Sequence, residues 1–212
     1  MKVFLDSNII QHSATAYRTY AIQFGGGKLG TPLVRNGPVE TVNKKPAPAE
    51  ELRNEIFRLP ELAAKLRGVG ACLVIARENY LEIRKAARSR DEHFYGSRIY
   101  FSEPPPEPYN FVSVPSWMNT GPTDNSFHNF LHDLKHPRFL KFAKCAGAIH
   151  GSTFNYNQLA DAYFLWCAEV NQVDYFLTLD GKLQRAIENS PTLKFKTKIV
   201  SATGLLHVLD VA

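Results

Sequence analysis

Residues 157–182 read NQLADAYFLWCAEVNQVDYFLTLDGK, a helix, a short turn, a strand and a loop in succession. Leu159, Ala162, Tyr163, Trp166, Cys167 and Val170 cover so much of the helix that it must be buried on most sides. The polar run Asn155–Gln158 offers caps for its start. Asp161 follows in the first turns, where the helix dipole favours an ionised side chain. Asp174–Thr178 is a compact β-type run, and Asp180 falls just past it. In open α/β sheets, functional groups collect beyond the carboxyl ends of the strands.

The first residues repeat this arrangement. Met1–Leu5 is an apolar strand with Asp6 at its end, followed by Ser7 and Asn8. A charged residue directly after a buried strand is a helix cap or a site residue. Two further carboxylates at equivalent ends, Asp161 and Asp180, favour the site. Between these blocks, Glu50–Arg67 carries Leu52, Ile56, Leu59, Leu62 and Leu66 at helical spacing, with Pro60 as a kink or break and Gly68 and Gly70 as the stop. Ala71–Ala76 is continuously apolar, as a parallel strand covered on both faces should be. Arg77–Arg90 returns to helix and places Glu82 above the same sheet edge as Asp6, with Glu78 one turn earlier on much the same face.

With 212 residues, the chain suits one α/β domain, 1–212, with insertions at about 20–50 and 91–150. Gln23–Thr31 contains GGGKLGT, but its spacing does not fit a phosphate-binding loop, and a loop connection is expected there and over Asn36–Ala49. Asp91–Pro122 reads as an extended proline-rich insertion with a strand-like piece at Arg98–Phe101. Its Arg98, Tyr100, Phe101, Tyr109 and Trp117 either pin the loop to the core or stack on unpaired bases. Asn125–Lys135 is a helix with His128, His132 and His136 spaced four apart. It has no HExxH glutamate, so a polar face or phosphate contacts are expected in preference to zinc. A last helix near Lys182–Asn189, a strand at Lys196–Ser201 and a short helix at Gly204–Val211 close the chain.

The formal charge of +5 makes a polyanion a plausible partner. From Leu134 to Ala160 there is no acid, while Lys135, Arg138, Lys141 and Lys144 lead up to Asp161. A basic approach to a carboxylate cluster is what a phosphodiester substrate needs, although the same residues also make an ordinary solvated helix face. Cys72, Cys145 and Cys167 are odd in number and form no CxxC pair, which fits buried thiols in a reducing compartment. No apolar run approaches a membrane span and no secretory leader is visible, so a cytoplasmic protein is expected.

Asp6, Glu82, Asp161 and Asp180 crowded together would repel one another unless a cation neutralised them. Hard oxygen ligands without thiols favour Mg²⁺ or Mn²⁺, and phosphodiester hydrolysis by metal-activated water is the reaction class that follows. The opening FLDSNII, Glu82 and LADAYFLWCAEVNQVDYFLTLD resemble the PIN-domain family of metal-dependent ribonucleases. The similarity covers roughly residues 1–12, 70–90 and 155–206. It implies a three-layer α/β/α sandwich around a mainly parallel sheet. It also implies Mg²⁺ or Mn²⁺ held by Asp6, Asp161 and Asp180 with Glu82 assisting, Thr178 orienting a ligand or water, and Asn8 behind the ligands. RNA is the implied substrate, with Lys135, Arg138, Lys141, Lys144 and Arg98 as candidate contacts. An antitoxin-like inhibitor protein or an oligomer is compatible with the family, although this chain is much longer than its compact toxins. A non-catalytic RNA-binding domain of the same fold is the main alternative. A small-molecule phosphohydrolase fits less well, and a haloacid-dehalogenase-type phosphatase would want a second Asp where Asn8 stands.

Overall fold

The computed structural model describes residues 1–13, 16–24, 34–43, 46–79, 81, 94–110, 125–150, 153–190 and 193–211. Its centre is a parallel sheet built from β1 (Lys2–Leu5), β4 (Cys72–Ile75), β5 (Ile99–Phe101), β8 (Tyr175–Leu177) and β9 (Lys198–Val200). The spatial order is β5-β4-β1-β8-β9, and every neighbouring pair is parallel. The chain steps outward from β1 to β4 and β5, then returns to the other side of β1 for β8 and β9. The order therefore reverses between β1 and β8, and at such a switch point the loops leaving adjacent strands part and open a crevice.

Alternation along the strands divides the core in two. Phe4, Val74, Phe176 and Ile199 point to one side, into a cluster with α3 (Asn125–Asp133), α4 (Pro137–Cys145), α5 (Tyr156–Val170) and α6 (Gly181–Glu188). Val3, Leu5, Leu73, Ile75 and Leu177 point to the other, toward α1 (Ser7–Ser13), α2 (Glu50–Gly68) and α7 (Ala202–Val211). Helices thus cover both faces, which explains why these strands are apolar without a break. In α5 every residue from Ala162 to Ala168 is buried, as its all-round apolar surface requires.

Several local expectations need correction. Pro60 neither breaks nor ends α2. The helix runs to Gly68, and Gly70, at φ +63°, turns the chain into β4 while Ala71 N donates to Leu66 O at 2.9 Å. The connection expected around 20–50 contains β2 (Ala16–Phe24) and β3 (Val34–Asn43), paired antiparallel. Gly37 and Pro38 fall between the paired residues Asn36 and Val39, opposite Ala21 alone. The proline sits at a bulge, where its missing N–H costs no ladder bond. The glycine-rich stretch between these strands lies outside the described residues. The strand-like piece at Arg98–Phe101 is indeed a strand, and by pairing with β4 it belongs to the main sheet as its edge and not to an insertion. Of the three thiols expected to be buried, Cys167 is, Cys145 is partly so and Cys72 is exposed. A short hairpin, β6 (Ile149–His150) and β7 (Thr153–Phe154), leads into α5. Among the described residues no helix is long and apolar enough to cross a membrane.

Phe176 is fully buried and stacks on Phe4 across the β1–β8 pair at a ring separation of 5.3 Å. Phe176→Ala is expected to cost about 3–5 kcal/mol in urea unfolding. A cost below about 1 kcal/mol would contradict this placement in the core.

Candidate functional site

The carboxyl end of β1 delivers Asp6 into the crevice and that of β8 delivers Thr178, Leu179 and Asp180. Asp6 is only 2% exposed, and three short hydrogen bonds fix both of its oxygens. Ser7 N donates to Oδ1 at 2.7 Å, while Asn8 Nδ2 and Thr178 Oγ1 each donate to Oδ2 at 2.7 Å. The Thr178 hydroxyl also accepts from Asp180 N at 3.0 Å and from Asn8 Nδ2 at 3.1 Å. Asn8 Oδ1 in turn accepts from Leu179 N at 3.1 Å. Thr178 and Asn8 therefore stitch the loop after β1 to the loop after β8. They also hold Asp6 close enough to Asp180 for the two charges to interact unfavourably.

Burial pushes the Asp6 carboxyl up from its usual 3.8 to about 6, with the nearby Asp180 adding to the rise against the opposing bonds from Thr178, Ser7 and Asn8. Among the described residues neither Asp6 nor Asp180 has an ion pair. Asp180 has a second duty: its Oδ1 accepts from Lys182 N at 2.8 Å and Leu183 N at 3.1 Å, capping α6. The residue after β8 thus serves as a helix cap while standing beside Asp6.

The loop after β4 joins the same network through Asn79, which the sequence did not mark for the site, and carries Glu78, the neighbour of Glu82 in the sequence reading. Asn79, fully buried, donates from Nδ2 to Ser7 Oγ at 2.8 Å and accepts Ala76 N at 2.8 Å. Glu78, only 5% exposed, accepts the Tyr163 hydroxyl of α5 at 3.0 Å, and burial raises its pKa. Burial likewise raises the Tyr163 hydroxyl and the Cys167 thiol beside it. The signal in the sequence was positional, since Glu78 and Asn79 follow an apolar strand within four residues of its end.

The remaining expected ligands are less closely joined. Asp161 lies half-buried on α5, two residues before Tyr163 and so on a different side of the helix. Glu82 lies outside the described residues, as does most of the helix expected to carry it. Among the described residues no three of His, Cys, Asp and Glu are grouped so as to hold a metal ion. What is assembled is the Asp6–Asp180 pair with its Thr178 and Asn8 supports.

The three histidines do not converge. His128 stacks on Tyr156, His132 meets Phe154 edge-on and Asp133 at 3.0 Å, and His136 caps α4 and stacks on Trp166. In the basic run, Arg138 is committed to the fold. Its Nε donates to Glu169 Oε2 at 2.7 Å, a second nitrogen grips Oε1, and the guanidinium lies 4.9 Å over Phe142. Lys135 is exposed and bonds His132 O at 3.1 Å, while Lys141 and Lys144 are exposed on α4. Tyr109 pins its loop against Phe127 and Phe130, whereas Tyr100 and Phe101 stay exposed, with Arg98 stacked on Tyr100. Trp117 lies outside the described residues.

A folded-state pKa above the unfolded value means that ionising Asp6 costs stability as pH rises from about 4 to above 6. The full cost is about 3 kcal/mol at neutral pH. In chelator-treated protein, the stability of the wild type relative to Asp6→Asn is expected to fall over that window. Parallel stability profiles for the two proteins, measured by thermal or urea melts, would contradict the burial of this charge.

Comparison with known proteins finds no family model that matches the chain and no match among curated proteins.

Proposed function

We propose that this protein is a metal-dependent ribonuclease whose centre is the crevice between β1 and β8. The observation that carries the reading is Asp6 itself, a carboxylate sealed beside a second carboxylate with no ion pair among the described residues. Such a charge is costly in the fold unless a cation is supplied from outside the chain. The donors present fit a hard divalent ion: two carboxylates and a hydroxyl, with no thiol among them. Asp6 accepts three hydrogen bonds and retains capacity for one more partner, since a carboxylate offers about four acceptor positions.

In this reading Asp6 and Asp180 bind Mg²⁺ or Mn²⁺, with Asp161 and Glu82 or Glu78 contributing oxygens directly or through water. A bound ion of this kind would lower the pKa of an attacking water and stabilise charge on the phosphoryl oxygens. Thr178 and Asn8 keep the Asp6 carboxylate oriented, and the exposed Lys141 and Lys144 draw the polyanion toward it. The resemblance to PIN-domain ribonucleases in FLDSNII and LADAYFLWCAEVNQVDYFLTLD supports the same chemistry and a PIN-like fold. The same resemblance would also suit an RNA-binding domain that has lost turnover.

Labelled single-stranded RNA is expected to be cut with Mn²⁺ or Mg²⁺ and left intact in chelator. Asp6→Asn, Asp161→Asn and Asp180→Asn should abolish cleavage, and Thr178→Val should lower it about 10- to 100-fold as an orienting residue would. Retained cleavage in the three Asn variants would refute the site, and RNA binding without cleavage by the wild type would favour the non-catalytic reading. Changing Lys141 and Lys144 to Ala should flatten the salt dependence of RNA binding by about 0.7 in logarithmic slope per lost phosphate contact. An unchanged slope would remove α4 from the RNA path.

A further inference from the structure

The edge of the main sheet carries an exposed aromatic and an exposed arginine at the level of the carboxylate crevice. Phe101 ends β5 and is 52% exposed, large for a phenylalanine at the end of a strand. Arg77, the second residue after β4, holds its guanidinium 5.5 Å from the centre of that ring. The register fixes where this pair stands. Phe101 is opposite Ile75, and Phe4 is opposite Val74, so Leu5 and Phe101 flank Ile75 in one row across the sheet. They are two strand spacings apart, about 10 Å. The residue after Leu5 is Asp6, and the residue after Arg77 is Glu78, which is followed by Asn79 bonded to Ser7. The pair thus stands at the β5 edge of the sheet, level with the end of β1 and two strands from it, and the loop after β4 that carries Arg77 is bonded to Ser7 through Asn79.

We infer that Arg77 and Phe101 form a stacking platform at the β5 edge that seats an unpaired base of single-stranded RNA whose chain continues across the sheet end to the carboxylate pair. This rests on the ribonuclease reading and names the form of RNA that it takes. An aromatic ring with a guanidinium against it offers a base a flat partner on either component and offers the adjoining phosphate a positive charge. The duplex form hides its bases and cannot use such a platform. Glu103, exposed two residues beyond Phe101, is the nearest acid along the strand, and its backbone N–H is bonded to Asn171 Oδ1 at 2.9 Å. Tyr100, 44% exposed under Arg98, points to the opposite face of the strand because neighbours alternate, so it is not part of the same platform.

The test uses the full chain in chelator, so that binding is read without cleavage, with fluorescent single-stranded and double-stranded RNA of the same sequence. Phe101→Ala is expected to weaken single-strand binding about tenfold and to leave duplex binding unchanged. Arg77→Ala should weaken it and lower the salt slope by about 0.7. Phe101→Trp should retain binding and show indole quenching on addition of RNA, a signature that a merely structural side chain would not give. Tyr100→Ala should cost less than about twofold. Equal losses from Tyr100→Ala and Phe101→Ala, equal effects on duplex, or wild-type affinity in Phe101→Ala would overturn the platform. So would self-association through β5, abolished by Phe101→Ala, in a wild type that binds no RNA. Metal-dependent cleavage that survives with wild-type KM in Phe101→Ala refutes the platform alone. Phe101-dependent binding without cleavage refutes the nuclease alone.

Discussion

A carboxylate buried at the end of a central strand is the constraint around which this protein is arranged. Asp6 cannot retreat to solvent, because β1 is flanked by β4 and β8 and covered by helices on both faces. The chain answers by directing short hydrogen bonds at both oxygens, from the next backbone N–H, from Asn8 and from Thr178. These bonds offset part of the desolvation but not all of it, since the acid still titrates near 6. Placing Asp180 within electrostatic reach makes matters worse for the isolated fold. Stability alone would have selected an asparagine or a serine at either position. In the proposed reading a divalent cation offsets this cost.

The same bonds perform a structural task. The doubly wound order leaves the loops after β1 and β8 to diverge, and without a tie the crevice between them would have no fixed width. Thr178 and Asn8 supply that tie with side chains of the two loops themselves, and Asn79 extends it to the loop after β4 through Ser7. The geometry around Asp6 is consequently set by three strands at once. Asp180 is pinned as well, because its other role is to cap α6.

The parts of the sequence that announced themselves were those with a single physical demand. Ala71–Ala76 could only be a strand buried on both faces, and the all-round apolar helix before Asp174 could only be internal. The acids at the ends of β1 and β8 followed from strand direction. What stayed hidden had competing demands or depended on remote partners. Gly37 and Pro38 look like a break, and only pairing with a second strand turns them into a bulge. Arg98–Phe101 was legible as a strand-like piece, but only its pairing with β4 shows that it is the edge of the main sheet. Arg138 read as an RNA contact because its partner Glu169 is 31 residues away. The histidine spacing suggested one face of one helix, but α3 ends at Asp133 and His136 caps α4, and each of the three rings meets an aromatic neighbour that local spacing does not reveal. Glu78 was visible only as the neighbour of Glu82 on one helix face, and Asn79 is an ordinary polar residue after a strand until its tertiary bonds recruit it.

The central claim is that the Asp6–Asp180 pair is completed by a divalent cation. Titrating Mn²⁺ into chelator-treated full-length chain, with the free ion counted by electron paramagnetic resonance, tests it most directly. A saturable site that is lost in both Asp6→Asn and Asp180→Asn, while both variants stay folded, is the predicted result. No saturable binding in the wild type, or binding that both variants retain, would contradict the account.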